Sequence, residues 1–397
     1  MVVIFALLLL YLSLPIVGQI FILSTGAQVS AGEVTGDLIF SNFVFCLIIY
    51  LTAYLMQKKA VYTREGGFNL NYERIISRSK LLLIIAGLIT FYVGGYKALV
   101  LGINRGEIRL TLGAFGFLYN WMVIFFVPAL IFLSVLVYKD STYKKRRDII
   151  TIVILGVLCG VSSGYKSTVV FIFLPALSFV FFEKLKIFYL FIIGVIGFLF
   201  LVLTTSAVRS VDFFTAYDFL LNRITVMTTY GTIGVWEHFK DGAGFNEASK
   251  LMLGLFGNNI TSSILGASKD SVEFLSTNLS RKITYLVYPD SYGALKGTVN
   301  VTVTSFGEAV YMFGRFYWIY AILSGVVIGL TIRKIRMSYF NCNPILLICS
   351  SLYFFIVILT WINSGNVFKL ISLPTVFWIV FTGFILQFIC FGTVKRK

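Results

Sequence analysis

Long apolar runs recur along this chain, at roughly 2–23, 38–56, 81–101, 112–138, 149–163, 168–182, 187–206, 309–332, 344–362 and 371–391. Most reach the ~18 residues that a helix needs to cross about 30 Å of hydrocarbon. Lipid offers no hydrogen-bond partner, so such runs are restricted to helices that satisfy their own backbone. With 58% hydrophobic and 17% aromatic residues, a soluble fold of this length would expose much apolar surface to water. The expected fold class is therefore all-α, a polytopic integral membrane protein of about 10 (10–12) transmembrane helices. Residues 1–206 hold the first seven runs and 309–397 the last three. The fifth and sixth runs are short and separated by Gly164–Ser167, which suggests a tight hairpin or a re-entrant pair.

Only residues 207–308 form a long break in this series. The location of charge indicates which side that break faces. With the amino terminus inside, the inner segments 57–80, 139–148, 183–186, 333–343 and 393–397 hold 19 of the 33 Lys and Arg, against 5 acidic residues. The break holds 8 basic and 9 acidic residues, so it is nearly neutral and faces outward under the positive-inside rule. Both termini are then cytoplasmic. The net charge of +16 sets orientation, and nucleic acid is not an expected partner. Membrane lipid is. The five cysteines fall in runs or on the inner side, leaving the outer segment without a disulfide framework.

An outer segment of this length is expected to carry function. Val211–Trp236 reads as one or two interfacial helices, apolar side down. Leu251–Phe256 is a second apolar patch, too short to span, and Gly257–Lys282 reads as a polar middle section. The segment ends in the string Asn300–Gly314, which runs straight into the next apolar run.

Ionisable residues at membrane depth are costly and are functional candidates. Lys166, Lys97 and Arg315 are of this kind. Arg315 follows Glu308 by seven residues, two helical turns, so a continuous helix would turn both into one cavity. Arg209, Arg223 and Arg281 are guanidinium groups on the outer segment, suited to bidentate phosphate contacts. Glu308 and His238 are the candidate proton acceptors, in that order. Glu33 and Asp37 form a weaker carboxylate pair. The sequence has no DxD, Walker or HExxH pattern and no Cys-x-x-Cys, so no metal site and no cofactor is expected. Phosphate chemistry would then rest on cationic side chains and helix amino termini.

The layout, together with Gly307, Glu308, Tyr311, Phe313 and Gly314, resembles the Wzy-type oligosaccharide repeat-unit (O-antigen) polymerases. Their Gly-Glu-x-x-Tyr-x-x-Phe-Gly pattern is shortened by one residue near its end here. Ser162–Thr168 resembles a small-residue segment that carries an arginine in that family, and Lys166 stands in its place. The resemblance implies a GT-C-like polymerase/ligase architecture in a bacterial inner membrane, with a periplasmic active site. It implies transfer of a nascent glycan from undecaprenyl pyrophosphate to the non-reducing end of another undecaprenyl-pyrophosphate-linked repeat unit. Glu308 and His238 would be catalytic, and Arg223, Arg209, Arg281, Arg315 and Lys166 would bind pyrophosphate. A flippase and a chain-length regulator are the implied protein partners. The alternatives are an O-antigen ligase, a lipid-linked oligosaccharide flippase, or a metal-dependent polyprenyl-phosphate sugar transferase resting on Glu33 and Asp37.

Overall fold

The computed structural model describes residues 2–26, 29–57, 67–68, 70–99, 115–141, 145–162, 166–180, 187–209, 211–224, 226–268, 271–288 and 301–391. Among these no β-strand forms. The early runs give α1 (Val2–Thr25), α2 (Gly36–Gln57), α3 (Tyr72–Thr90), α4 (Val127–Asp140), α5 (Arg146–Ser162), α6 (Lys166–Val180) and α7 (Ile187–Arg209). The outer segment folds into short helices: α8 (Phe213–Ile224), α9 (Tyr230–Phe239), α10 (Phe245–Lys250), α11 (Asn258–Leu265) and α12 (Leu279–Val287). The last runs give α13 (Ser305–Phe313), α14 (Tyr317–Phe340), α15 (Pro344–Leu352), α16 (Leu359–Ser364) and α17 (Leu373–Cys390).

Seven helical stretches among the described residues are long and apolar enough to cross a membrane. They cover α1, α2, Tyr72–Gly95, Phe115–Asp140, Ser305–Phe340, Pro344–Ser364 and Val367–Cys390. The protein is a polytopic helical membrane protein, with seven such stretches against the ten expected. The other three runs are occupied by α5, α6 and α7. At 17 and 15 residues, α5 and α6 are short for ~30 Å of hydrocarbon.

The chain divides into two compact units. Unit 2 comprises residues 59–182, 331–357 and 375–397. Its centre is the Phe115–Asp140 stretch, 83% of whose apolar window is buried, so this helix is packed by protein on nearly all sides. Pro128 lies inside this continuous helix, directly after a π-helical turn at Met122–Phe126, where the widened turn accommodates the hydrogen bond that proline cannot donate. At one end Asp148 accepts from Lys80 Nζ (2.6 Å) and Tyr72 Oη (3.0 Å), tying α3 to α5. Arg78 donates to the Ile389 carbonyl (2.6 Å) in the last turn of α17, where a cation opposes the carbonyl end of the helix dipole.

Unit 1 comprises residues 1–58, 183–330 and 358–374, so the outer segment shares one packed body with α1 and α2. Two helices form over Val211–Trp236, and on the first, α8, Phe213, Phe214 and Tyr217 are exposed. The second, α9, is packed into the protein. Its Gly231–Val235 turn is buried, because the two glycines admit close neighbours. The polar section Gly257–Lys282 is mostly helical among its described residues, and its Ser and Asn side chains cap helices. Ser271 Oγ accepts from Phe274 N, and Asn278 Oδ1 from Arg281 N.

In α14, Gly325 and Gly329 make a small-xxx-small stripe against α2. A Cβ on Gly329 would lie 2.8 Å from the Ala53 carbonyl oxygen and 2.6 Å from Met56 Cβ, contacts that only a backbone shift could relieve. Gly194 of α7 has nothing within 4 Å of the same position. Gly329→Ala should therefore cost about 1–3 kcal/mol by overpacking. Gly194→Ala should be neutral or stabilising by up to ~1 kcal/mol, through lost unfolded-state entropy. Thermal melting of the two purified variants should show shifts that differ in this way.

Candidate functional site

The site in unit 1 is assembled on an extended strap, residues 301–304, that leads into α13. A buried extended strap must find partners for its backbone, and here hydroxyl side chains supply many of them. Val301 N donates to Thr284 Oγ1 (2.8 Å), Val303 N to Ser280 Oγ (3.3 Å) and Thr304 N to Thr232 Oγ1 (3.1 Å). Gly231 N donates back to the Thr302 carbonyl (3.1 Å). The strap thus bonds to both α9 and α12. Thr304 then caps α13, its Oγ1 accepting from Gly307 N. Gly307 is required by crowding, since a Cβ there would meet Val303 Cγ1 at 2.8 Å. Phe306 is enclosed by the rings of Phe45, Trp236 and Tyr317.

Glu308, one turn further on, is fully buried. Its Oε2 accepts from Tyr320 Oη (2.6 Å), Trp361 Nε1 (3.1 Å) and Val367 N (3.0 Å), and its Oε1 accepts from Val367 N (2.8 Å). The carboxyl group therefore joins the motif helix to α14, α16 and the turn before α17. Gly365 makes this closure possible. Its φ is +63°, and a Cβ would lie 2.8 Å from the Val303 carbonyl oxygen.

The expected shared face of Glu308 and Arg315 does not exist. The helix ends at Phe313, and Gly314 takes φ +54° before a 3₁₀ turn, so the two-turn spacing does not carry across. Arg315 instead lies at the surface, with Nε donating to Asp241 Oδ1 at 3.0 Å. The Asp241–Gly242 backbone passes directly over Gly314, where any Cβ would lie 2.6 Å from the Asp241 carbonyl oxygen. Ala243 N donates to the Tyr311 carbonyl (2.9 Å), so residues 241–243 run along the end of the motif helix.

A second cation, absent from the sequence expectations, is central here. Lys282 Nζ bonds to Glu247 and to Tyr311 Oη (2.8 Å), and stands 5.3 Å and 5.7 Å from the ring centres of Tyr311 and Phe239. Glu247 also bonds to Lys250 (2.7 Å). Hydrogen bonds from Lys250 and Lys282 hold the Glu247 carboxyl down at about 2, against an ordinary 4.5. Partial burial works against the Lys282 ammonium, but Glu247 and Tyr311 together raise its proton affinity above the ordinary value. The sequence offered one signal for Lys282: it adjoins the buried stripe Leu279, Ile283 and Val287 of α12. Its partner is 35 residues away, beyond any local pattern.

The other candidates are dispersed. His238 is exposed on the last turn of α9. Arg223 is exposed on α8, its guanidinium 5.9 Å from the Phe219 ring centre. Arg281, beside Lys282, is half-buried. Arg209 ends α7, which packs on α8, and its side chain is outside the described residues. Lys166 opens α6 in unit 2, and its side chain is likewise outside them. Lys97 is half-exposed in unit 2, and Glu33 and Asp37 are exposed in unit 1. Among the described residues no three His, Cys, Asp or Glu side chains converge.

Two measurements follow from these networks. Tyr320→Phe removes one donor from a buried carboxyl and should cost ~1–3 kcal/mol of stability, read by thermal melting. For Glu247 the depressed carboxyl value means stabilisation that is complete above about 4.5 and lost as pH falls toward about 2. The side chain is 39% exposed, so solvent screening keeps this contribution small. The melting difference between wild type and Glu247→Gln should stay constant above pH 5 and close through that acid window. A difference that grows with acid would contradict the ion pairing.

No protein-family model matches the chain, and no curated protein or solved structure is significantly similar to it.

Proposed function

We propose that this protein is a membrane glycosyltransferase that polymerises lipid-linked oligosaccharide repeat units at the outer face of a bacterial inner membrane. The observation that carries this reading is the way the Gly307–Gly314 string folds. Four of the five residues that give the string its family resemblance have a distinct structural task. Gly307 admits the strap, Glu308 gathers α14, α16 and the Val367 turn, Tyr311 meets Lys282, and Gly314 admits the 241–242 backbone. A polymerase active site needs such a fixed platform at the membrane surface, where an activated lipid and an acceptor sugar can meet.

In the proposed reaction the bond between the anomeric carbon of the nascent glycan and its pyrophosphate oxygen breaks. A bond from that carbon to an acceptor hydroxyl forms. The acceptor proton leaves to a base, and undecaprenyl pyrophosphate departs carrying the electron pair. Negative charge builds on the leaving group, and positioned cations stabilise it. Arg223, Arg281 and Arg315 are the candidate cations on the outer segment and α13–α14 junction, with Arg209 and Lys166 as further ones. The proton role divides the two catalytic candidates. Glu308 is enclosed with both oxygens occupied, so we assign it to positioning. His238 is exposed and can reach an acceptor in solvent, so we assign it as the base. An undecaprenyl-pyrophosphate-linked repeat unit is both donor and acceptor in this reading, and a flippase and a chain-length regulator are its protein partners.

A clean deletion should leave surface glycan capped at one repeat unit. A ligase would instead leave none on the core, and a flippase would trap the unit inside. His238→Gln should lower chain extension by about 10²–10⁴-fold without changing the melting temperature. Arg223→Ala should shorten the glycan ladder while the protein remains inserted. Wild-type polymer length in both variants would sink the site assignment.

A further inference from the structure

The cations beside the motif helix already hold anions, and both anions come from one short segment. Asp241 holds Arg315, and Glu247 holds Lys282. The segment between them has the build of a removable cover. Gly242 and Gly244 take φ +93° and +76° at its start, and Gly257 takes φ +79° beyond its end, conformations that glycine reaches without strain. No side chain of Phe245–Lys250 is buried, and Phe245 is 86% exposed, so apolar packing does little to fix α10. What holds it near α13 is the Glu247–Lys282 pair and the bond from Ala243 N to the Tyr311 carbonyl.

Lys282, by contrast, is held independently of that cover. Its helix is anchored by Leu279, Ile283 and Val287, and its ammonium is braced by Tyr311 Oη and stands 5.7 Å from the Phe239 ring centre. A partly dehydrated ammonium in a cation–π environment binds anions more strongly than one in open water. A pyrophosphate brings more charge and more acceptor oxygens than one carboxylate. Displacing Glu247 would not strand it either, because Lys250 remains bonded to it at 2.7 Å. The Asp241–Arg315 pair is highly exposed, 67% and 80%, and ion pairs of that kind exchange easily.

We propose that Lys282, held by Tyr311 of the motif helix, forms a phosphate-binding site, and that the 241–250 segment covers it by placing Glu247 where phosphate oxygens bind. The proposal deepens the reading above, because a lipid pyrophosphate is the phosphate which that reading supplies. The same chemistry could come from an anionic phospholipid headgroup.

The test titrates full-length protein in detergent with inorganic pyrophosphate, followed by calorimetry at low salt. Glu247→Gln should bind about two- to five-fold tighter than wild type, the range expected when an exposed competing ion pair is removed. Lys282→Gln should weaken binding at least about ten-fold, alone or combined with Glu247→Gln, and Lys282→Arg should restore most of it. The proposal is overturned if Glu247→Gln binds no tighter, or if the double variant keeps the affinity of Glu247→Gln. It is also overturned if a variant loses binding only together with its cooperative melting transition. A second arm repeats the Glu247→Gln titration in nanodiscs of phosphatidylcholine with and without phosphatidylglycerol. Competition by phosphatidylglycerol that disappears in the double variant supports the site and names a headgroup as its ligand. Equal affinity in both discs supports it and names the pyrophosphate. Failure of the polymerase reading would appear in the glycan ladder, and failure of this site in the titration.

Discussion

Unit 1 depends on the enclosure of one carboxyl group. A carboxyl group buried in apolar surroundings is costly unless donors surround it. Tyr320, Trp361 and the Val367 amide surround Glu308, and they come from 12, 53 and 59 residues away in the chain. Tyr320 and Trp361 are themselves buried polar groups, and Trp361 Nε1 also reaches Tyr320 Oη (3.1 Å), so the donors and the carboxyl group form one mutually bonded network. The closure then propagates. Val367 can reach Glu308 only because Gly365 turns with a positive φ against the Val303 carbonyl, and Val303 lies on the strap bonded to α9 and α12. The outer helices, the strap and the start of the last apolar run are thereby built around a single side chain.

This enclosure changes how the motif is understood. A glutamate next to a glycine at a membrane surface invites assignment as a base, and the sequence ranks Glu308 first for that role. Full burial with both oxygens occupied suits it to positioning, as proposed, and leaves exposed His238 as the candidate base. The arginines change in a similar way. Arg315 was expected to share a cavity with Glu308, but Gly314 breaks the helix between them and sends Arg315 to the surface. Helical spacing predicts a shared face only where the helix is continuous, and a positive-φ glycine at the boundary ends that continuity.

The outer segment shows why composition is an incomplete guide to loops. Gly257–Lys282 is rich in Ser, Thr and Asn and reads as a polar section. Several of those residues are caps and strap partners, and the section is largely helical. Short polar side chains hydrogen-bond backbone at helix starts, so a stretch rich in them can signal several short helices as well as a loop. Lys282 was passed over for a related reason. Arg281 carries the guanidinium that suits phosphate, and local chemistry favours it. The aromatic ring and the tyrosine hydroxyl that make Lys282 the braced cation come from α9 and α13.

The sequence alone determined the helical membrane class and the positions of the apolar helices. It did so because hydrophobicity acts residue by residue: a run long enough to cross a bilayer is visible without knowing its neighbours. It also located the string at Gly307–Gly314 as the place where the outer segment joins a long apolar helix. Only the tertiary structure decided which charged groups are enclosed, which are exposed and which are paired. Those outcomes depend on partners that sit tens of residues apart, and on glycines at Gly307, Gly314 and Gly365 that let backbones approach. The energy of a polar group is set by what surrounds it in space, and that is not written in its immediate sequence.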